Sequence, residues 1–96
     1  LRLQPGSVKI HNRLGNLLQS IERLEDAKAS YREALRLEPD LAAAHNGLAI
    51  TLIREGSPKK AVAHLQKALA INPDDETARR NLATLTEQLA VQNGGE

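Results

Sequence analysis

The residues best equipped for chemistry in this chain are three histidines, His11, His45 and His64. A neutral imidazole can ligate a metal ion or move a proton near neutral pH. The 96 residues include no cysteine. A thiolate zinc site, an iron–sulfur cluster, a disulfide framework and a cysteine nucleophile are therefore excluded, and imidazoles with carboxylates would have to carry any such chemistry. His11 and His45 lie 34 residues apart. If they occupy equivalent places on neighbouring packed helices, about 8–10 Å separates them, whereas zinc ligands sit about 2.0–2.1 Å from one ion. They cannot share a metal without rearrangement. His64 has no Asp or Glu spaced to complete a His–carboxylate set, and Gly94-Gly95 opens no helix that could cradle a phosphate. These residues supply no catalytic set, no metal site and no cofactor site, and the histidines read as packing or surface residues.

The composition narrows the class further. Thirteen basic residues against 12 acidic ones leave a formal charge of +1, which argues against the broad electrostatic footprint of a nucleic-acid or anionic-membrane binder. No run approaches the roughly 20 apolar residues that span a bilayer, and no apolar stretch after Leu1 marks a secretory signal. The expectation is a soluble chain, cytoplasmic by default, with no signal naming its compartment. It contains no Met, as expected of a piece excised from something longer. Thirty residues are Ala or Leu and Tyr31 is the one aromatic, an inventory that suits closely packed helices better than a β-sandwich.

A fixed period organises these elements. Pro5, Pro39 and Pro73 are spaced by 34 residues, and sliding residues 8–41 onto 42–75 keeps ten of 34 positions identical. Each period holds two helices, because apolar residues recur at i, i+3/i+4 and i+7 with punctuation midway. Ile10, Leu14, Leu17, Leu18 and Ile21 form one stripe; Ala27, Tyr31, Ala34 and Leu35 form the next. In the second period Gly56 can take the left-handed conformation that ends a helix, Ser57 can cap the following one, and Pro58 fits its first turn. Glu22-Arg23 stand there in the first period, so that turn should be the less rigid. Asp40, Asp74 and Asp75, with Glu76, place carboxylates at helix starts, where they are expected to cap free amides and meet the positive end of the dipole. A fifth helix over about 76–91 carries Leu82, Leu85 and Leu89 before a solvated tail.

These residues resemble the tetratricopeptide repeat. The first unit reads His11-x2-Leu14-Gly15-x2-Leu18, Ala27-x3-Tyr31-x2-Ala34 and Pro39; the second reads His45-x2-Leu48-Ala49-x2-Leu52, Ala61-x3-Leu65-x2-Ala68 and Pro73. A half unit follows as Arg79-x2-Leu82-Ala83-x2-Thr86. The expected organisation is the end of a preceding repeat or an extension over 1–7, repeats over 8–41 and 42–75, a capping helix or half repeat over 76–91, and a flexible tail over 92–96. A period of 34 rather than 35 argues against the RNA-binding pentatricopeptide relative. Departures include histidine at the large early position of each first helix, and Ala49 where the first unit has Gly15. Gly15, Ala27, Ala49 and Ala61 are assigned to close helix crossings.

The resemblance implies an all-α, right-handed superhelical stack of antiparallel helix pairs whose concave face is lined by the first helix of each pair. Carried over residue by residue, that lining is Lys9, Asn12, Asn16 and Gln19 in the first unit and Asn46, Ile50, Ile53 and Arg54 in the second. The last helix adds Thr77, Arg80, Thr84 and Gln88. Asn12, Asn46 and Arg80 recur at 34. A ladder of Asn could hold the backbone of an extended peptide, since an amide side chain donates and accepts at once; the alternative is polar residues on solvated faces. Ile50 and Ile53 suggest an apolar anchor, or else contact with neighbouring helices. The chaperone-tail clamp known in one subclass is not expected, because of the clamp positions at Asn12-x3-Asn16, Gly47 and Thr77-x3-Asn81 only Asn16 matches. Lys9 and Arg80 would still favour an acidic peptide.

Lys59, Lys60 and Lys67 with His64 make residues 59–73 locally basic, but with no aromatic platform for bases this reads as a solvated face. The function implied is a non-enzymatic scaffold that binds a protein or peptide in the concave groove. The alternatives are self-association through the array ends, suggested at one end by Leu1 and Leu3, and an accessory domain of a larger enzyme.

Overall fold

A computed structural model describes residues 6–94, and over them the chain is five α-helices. They are α1 Gly6–Ser20, α2 Leu24–Leu37, α3 Ala42–Arg54, α4 Pro58–Ile71 and α5 Glu76–Gly94. The expected repeat end over 1–7, with Leu1 and Leu3, lies almost entirely outside the described residues. At the other end, α5 continues to Gly94 rather than stopping near 91.

Short connections turn consecutive helices back on one another. α1 packs on α2 and α3 on α4, while α2 meets α3, α4 meets α5, and α1 touches α3 directly. The fold is thus a stack of helix pairs, a helical-repeat solenoid without strands among the described residues. Its core explains the composition. Ala27, Ala34, Ala44, Ala49, Ala61, Ala68 and Ala78 are fully buried with Tyr31 and Leu65, and Leu48, Leu52 and Leu85 nearly so. Alanine at the crossings lets backbones approach, and the leucines fill the space between crossings. The small-residue roles assigned to Ala27, Ala49 and Ala61 match this burial. Gly15 is equally tight, because a Cβ built on it would come within 2.7 Å of the Tyr31 ring.

The two turns inside the repeats have one geometry. Arg23 N–H donates to Leu18 O and Ser57 N–H donates to Leu52 O, both at 2.8 Å, and in each case the preceding residue is left-handed, Glu22 at φ 63° and Gly56 at φ 88°. This is the helix stop that glycine serves best. The turns therefore differ in strain rather than shape, since Glu22 carries a Cβ where Gly56 does not.

Some capping expectations need correction. α4 begins at Pro58 as expected, but Ser57 makes no side-chain capping bond. Asp40 does not cap α3, whose N-cap is Leu41; the chain reaches the helix one residue later than the carboxylate. Asp75 alone caps as expected, its Oδ1 accepting from Ala78 N–H at 3.1 Å.

The stripe on α1 is the larger departure. Leu18 packs against the core, yet Ile10, Leu14, Leu17 and Ile21 are 63%, 41%, 57% and 55% exposed. In the same register α3 presents Ala44, Leu48 and Thr51, all buried. The reason is positional, because α3 has α2 on one side and α4 on the other, whereas α1 has α2 and only an edge of α3. Periodicity reveals an apolar face but not whether a neighbour covers it.

Candidate binding groove

Tyr31 organises the face where α1 meets α3. It rises from α2 with its ring fully buried between two glycines, Gly15 on α1 and Gly47 on α3, and a Cβ on either would collide with that ring. Its hydroxyl donates to Asn16 Oδ1 at 2.5 Å. Burial pushes the Tyr31 hydroxyl up to about 12, with the Arg54 charge opposing the shift. The neutral phenol is therefore the form that the packing favours.

Gln19 continues this network across the repeats. Its Nε2 donates to Thr51 Oγ1 at 2.9 Å and to Gly47 O at 3.1 Å, with the Tyr31 hydroxyl farther off at 3.4 Å. An amide nitrogen has two protons, and the two shorter bonds account for them. Thr51 in turn donates to Gly47 O at 2.8 Å, so a fully buried hydroxyl is satisfied from both sides. Arg54 reaches back from the end of α3 to Gln19 O and to Glu22 Oε2, both at 3.1 Å. Nearby, the Lys28 ammonium bridges Glu55 at 2.7 Å and Glu25 at 3.1 Å, tying α2 to the end of α3. The hydrogen bond to Glu55, then that to Glu25, holds the Lys28 ammonium above the usual lysine range.

Asn46 is committed at the opposite end of α3. Its Nδ2 donates to Asp75 Oδ2 at 2.6 Å, the carboxylate that also caps α5. Asn12 and Asn46 nevertheless each retain a side-chain carbonyl oxygen, Oδ1, that is buried and has no hydrogen-bond partner among the described residues. Such orphaned acceptors are uncommon in folded proteins and call for an explanation.

The twelve residues expected to line the groove divide by what already holds them. Asn16 bonds to Tyr31 within the first helix pair, whereas Gln19, Asn46 and Arg54 bond across helix pairs. Lys9, Arg80 and Thr84 are exposed, and among the described residues none of the three makes a side-chain hydrogen bond or ion pair. Asn12 is half-buried, as are Ile50 and Ile53; Ile53 packs against the core cluster. Thr77 and Gln88 are exposed on α5.

Sequence reasoning missed the partners of this network. Gly47, Thr51 and Asp75 carry no mark of it in the pattern, since Gly47 replaces Arg13 and Asp75 replaces Leu41 across the period. It also missed that His45 and His64 meet. Their Nδ1 atoms are 3.2 Å apart, with the ring centroids separated by 5.4 Å and the ring planes 28° from parallel. No group of three or more His, Cys, Asp or Glu residues suited to a metal occurs among the described residues.

No curated protein matches the chain. A family model described as tetratricopeptide repeat matches residues 12–76, which include all of α2, α3 and α4 and most of α1. The chain belongs to the tetratricopeptide repeat family, whose repeats are typically non-catalytic and generally mediate protein–protein interaction.

Proposed function

We propose that this chain is a non-enzymatic docking module that holds an extended, acidic peptide segment of a partner protein along the face formed by α1, α3 and the start of α5. The observation that carries the reading is the pair of asparagines at one register of successive repeats, Asn12 and Asn46, each with an unsatisfied carbonyl oxygen. A buried acceptor without a partner costs about 1–3 kcal/mol, and turning the side chain outward to meet a peptide N–H relieves that cost; at Asn46 the turn also breaks the bond to Asp75. Asn12, whose amide bonds to no other described residue, can swing about its soft terminal torsion to meet such a donor. Lys9 and Arg80 stand at the two ends of this row as exposed cations, and charge-assisted bonds from them favour carboxylates. Ile50, half-buried between them, offers an apolar contact.

The test is fluorescence anisotropy with a labelled, unstructured acidic decapeptide. Asn12→Ala with Asn46→Ala is expected to weaken binding about tenfold, as the loss of two hydrogen bonds implies; unchanged affinity removes the ladder. Lys9→Glu with Arg80→Glu should also weaken it, and tighter binding would overturn the acidic preference.

A second reading rests on a separate observation, the apolar face of α1. Ile10, Leu14, Leu17 and Ile21 follow a 4-3-4 spacing, the seam of two paired helices, and self-association through it would bury what the monomer exposes. Sedimentation decides this reading: dimers that dissociate on dilution and vanish in Leu14→Lys/Leu17→Lys support it, and a monomer at high concentration rejects it.

A further inference from the structure

The contact between His45 and His64 has one consistent arrangement of protons. His45 is 8% exposed, and its Nε2 lies 3.1 Å from Pro39 O. A carbonyl only accepts, so His45 Nε2 carries the hydrogen. Neutral His45 then presents a bare Nδ1, and His64, whose Nδ1 is 3.2 Å away, must be the donor. A first added proton can go to His64 Nε2, where it leaves the Nδ1–H to Nδ1 bond intact and makes it charge-assisted. A second has only His45 Nδ1 left. It would set two N–H groups and two positive charges against each other across the same gap.

The surroundings offer no relief to that state. Arg32 of α2 bears on His64 electrostatically, and Lys60 and Lys67 lie one turn to either side of it on α4. Arg54, the one charged residue of α3, is at the far end of that helix. Glu38 and Asp40 flank Pro39, and Glu76 on α5 is engaged with Arg79; among the described residues no carboxylate hydrogen-bonds or ion-pairs with either ring. Burial first, then His45 and Arg32, holds His64 below the usual histidine range.

We propose that His45 and His64 form a one-proton latch that joins α3 to α4 and the preceding loop, and opens the second repeat in acid. The first repeat lacks it, because Ser30 stands at the register of His64. The sign follows from linkage. A histidine held below its unfolded pKa, as His64 is, contributes stability above about pH 6.5 that is lost as pH falls. Where the unfolded chain binds one more proton than the folded chain, the folding constant falls tenfold per pH unit.

The test is urea unfolding at pH 7.5 and pH 5.0 of the chain and of His64→Ser, which copies the first repeat. The wild-type folding constant is expected to drop at least tenfold between the two, and that of the variant less than threefold. Equal drops, or no wild-type drop, would overturn the latch. Nitrogen NMR of the wild type gives a second reading that needs no variant: His45 protonated at Nε2 and His64 at Nδ1 at pH 7.5, with amide exchange in α3 and α4 rising in acid ahead of α1 and α2. The opposite tautomers, or uniform opening, contradict the proposal. A zinc titration that shifts both rings and stabilises the chain at pH 7.5 would make the pair a metal site and also overturn it.

Discussion

Asn46 on α3 donates to Asp75 Oδ2 at 2.6 Å, while Asp75 Oδ1 accepts from Ala78 N–H at 3.1 Å. One carboxylate therefore caps α5 and anchors its N-terminus to the preceding first helix. In the first repeat Leu41 stands at the register of Asp75, so Asn12 has no such tie and α3 has no such cap. The arrangement fixes where α5 joins the stack and holds the Asn46 amide in place. Asp75→Ala removes both bonds, and a loss of about 1–3 kcal/mol is expected in urea unfolding. A loss below a few tenths would show that the two bonds do not hold α5.

Tyr31 permits a test in pH. Its folded-state value is raised to about 12 by burial, so the stability it confers is complete below its ordinary value near 10 and is lost as pH rises from there through about 12. The chain has one tyrosine and no tryptophan, which makes tyrosinate absorbance a clean readout. The native titration should lie well above that in denaturant; coincident curves would show that the hydroxyl is not held in a dry site.

Gly47 is enclosed by the Tyr31 ring. Gly47→Ala should cost about 1–3 kcal/mol by overpacking, measured as a lower thermal midpoint. Adding Tyr31→Leu, the residue that Leu65 supplies in the second repeat, should relieve part of that cost. The double variant should then lose less than the sum of the single ones, the signature of direct contact.

At Glu22 the expectation has the opposite sign. A side chain at φ 63° costs about 1–2 kcal/mol relative to glycine, whereas the exposed pair with Arg54 contributes at most about 1 kcal/mol. Glu22→Gly is expected to stabilise the chain by roughly 0.5 kcal/mol. A lower thermal midpoint would mean that the Arg54 bond holds the repeats together more firmly than its exposure implies.

The stack was legible because it is periodic. Pro39, Pro73, the alanines and the leucine rows repeat every 34 residues, and each repetition reinforces the placement of five helices. What escaped is what does not repeat. Gly47, Thr51, Asp75 and His64 replace Arg13, Leu17, Leu41 and Ser30, yet these substitutions build the bonds of Gln19, Asn46 and His45 across the helices. The apolar row of α1 was visible but its exposure was not, since exposure depends on whether a neighbour is present. Helical face marks the residues expected to line the groove, but it says nothing of whether Asn16, Gln19 and Arg54 are already occupied within the chain.

The peptide is expected to bind on the face of α1, α3 and α5. Titrating the isotope-labelled chain with the acidic decapeptide and following its amide and side-chain NMR signals tests this most directly. Saturable shifts are expected at the Asn12 and Asn46 side-chain amides and around Lys9, Ile50 and Arg80, with α2 and the outer surface of α4 unchanged. Shifts confined to Lys59, Lys60 and Lys67, or to Ile10, Leu14 and Leu17, would contradict it.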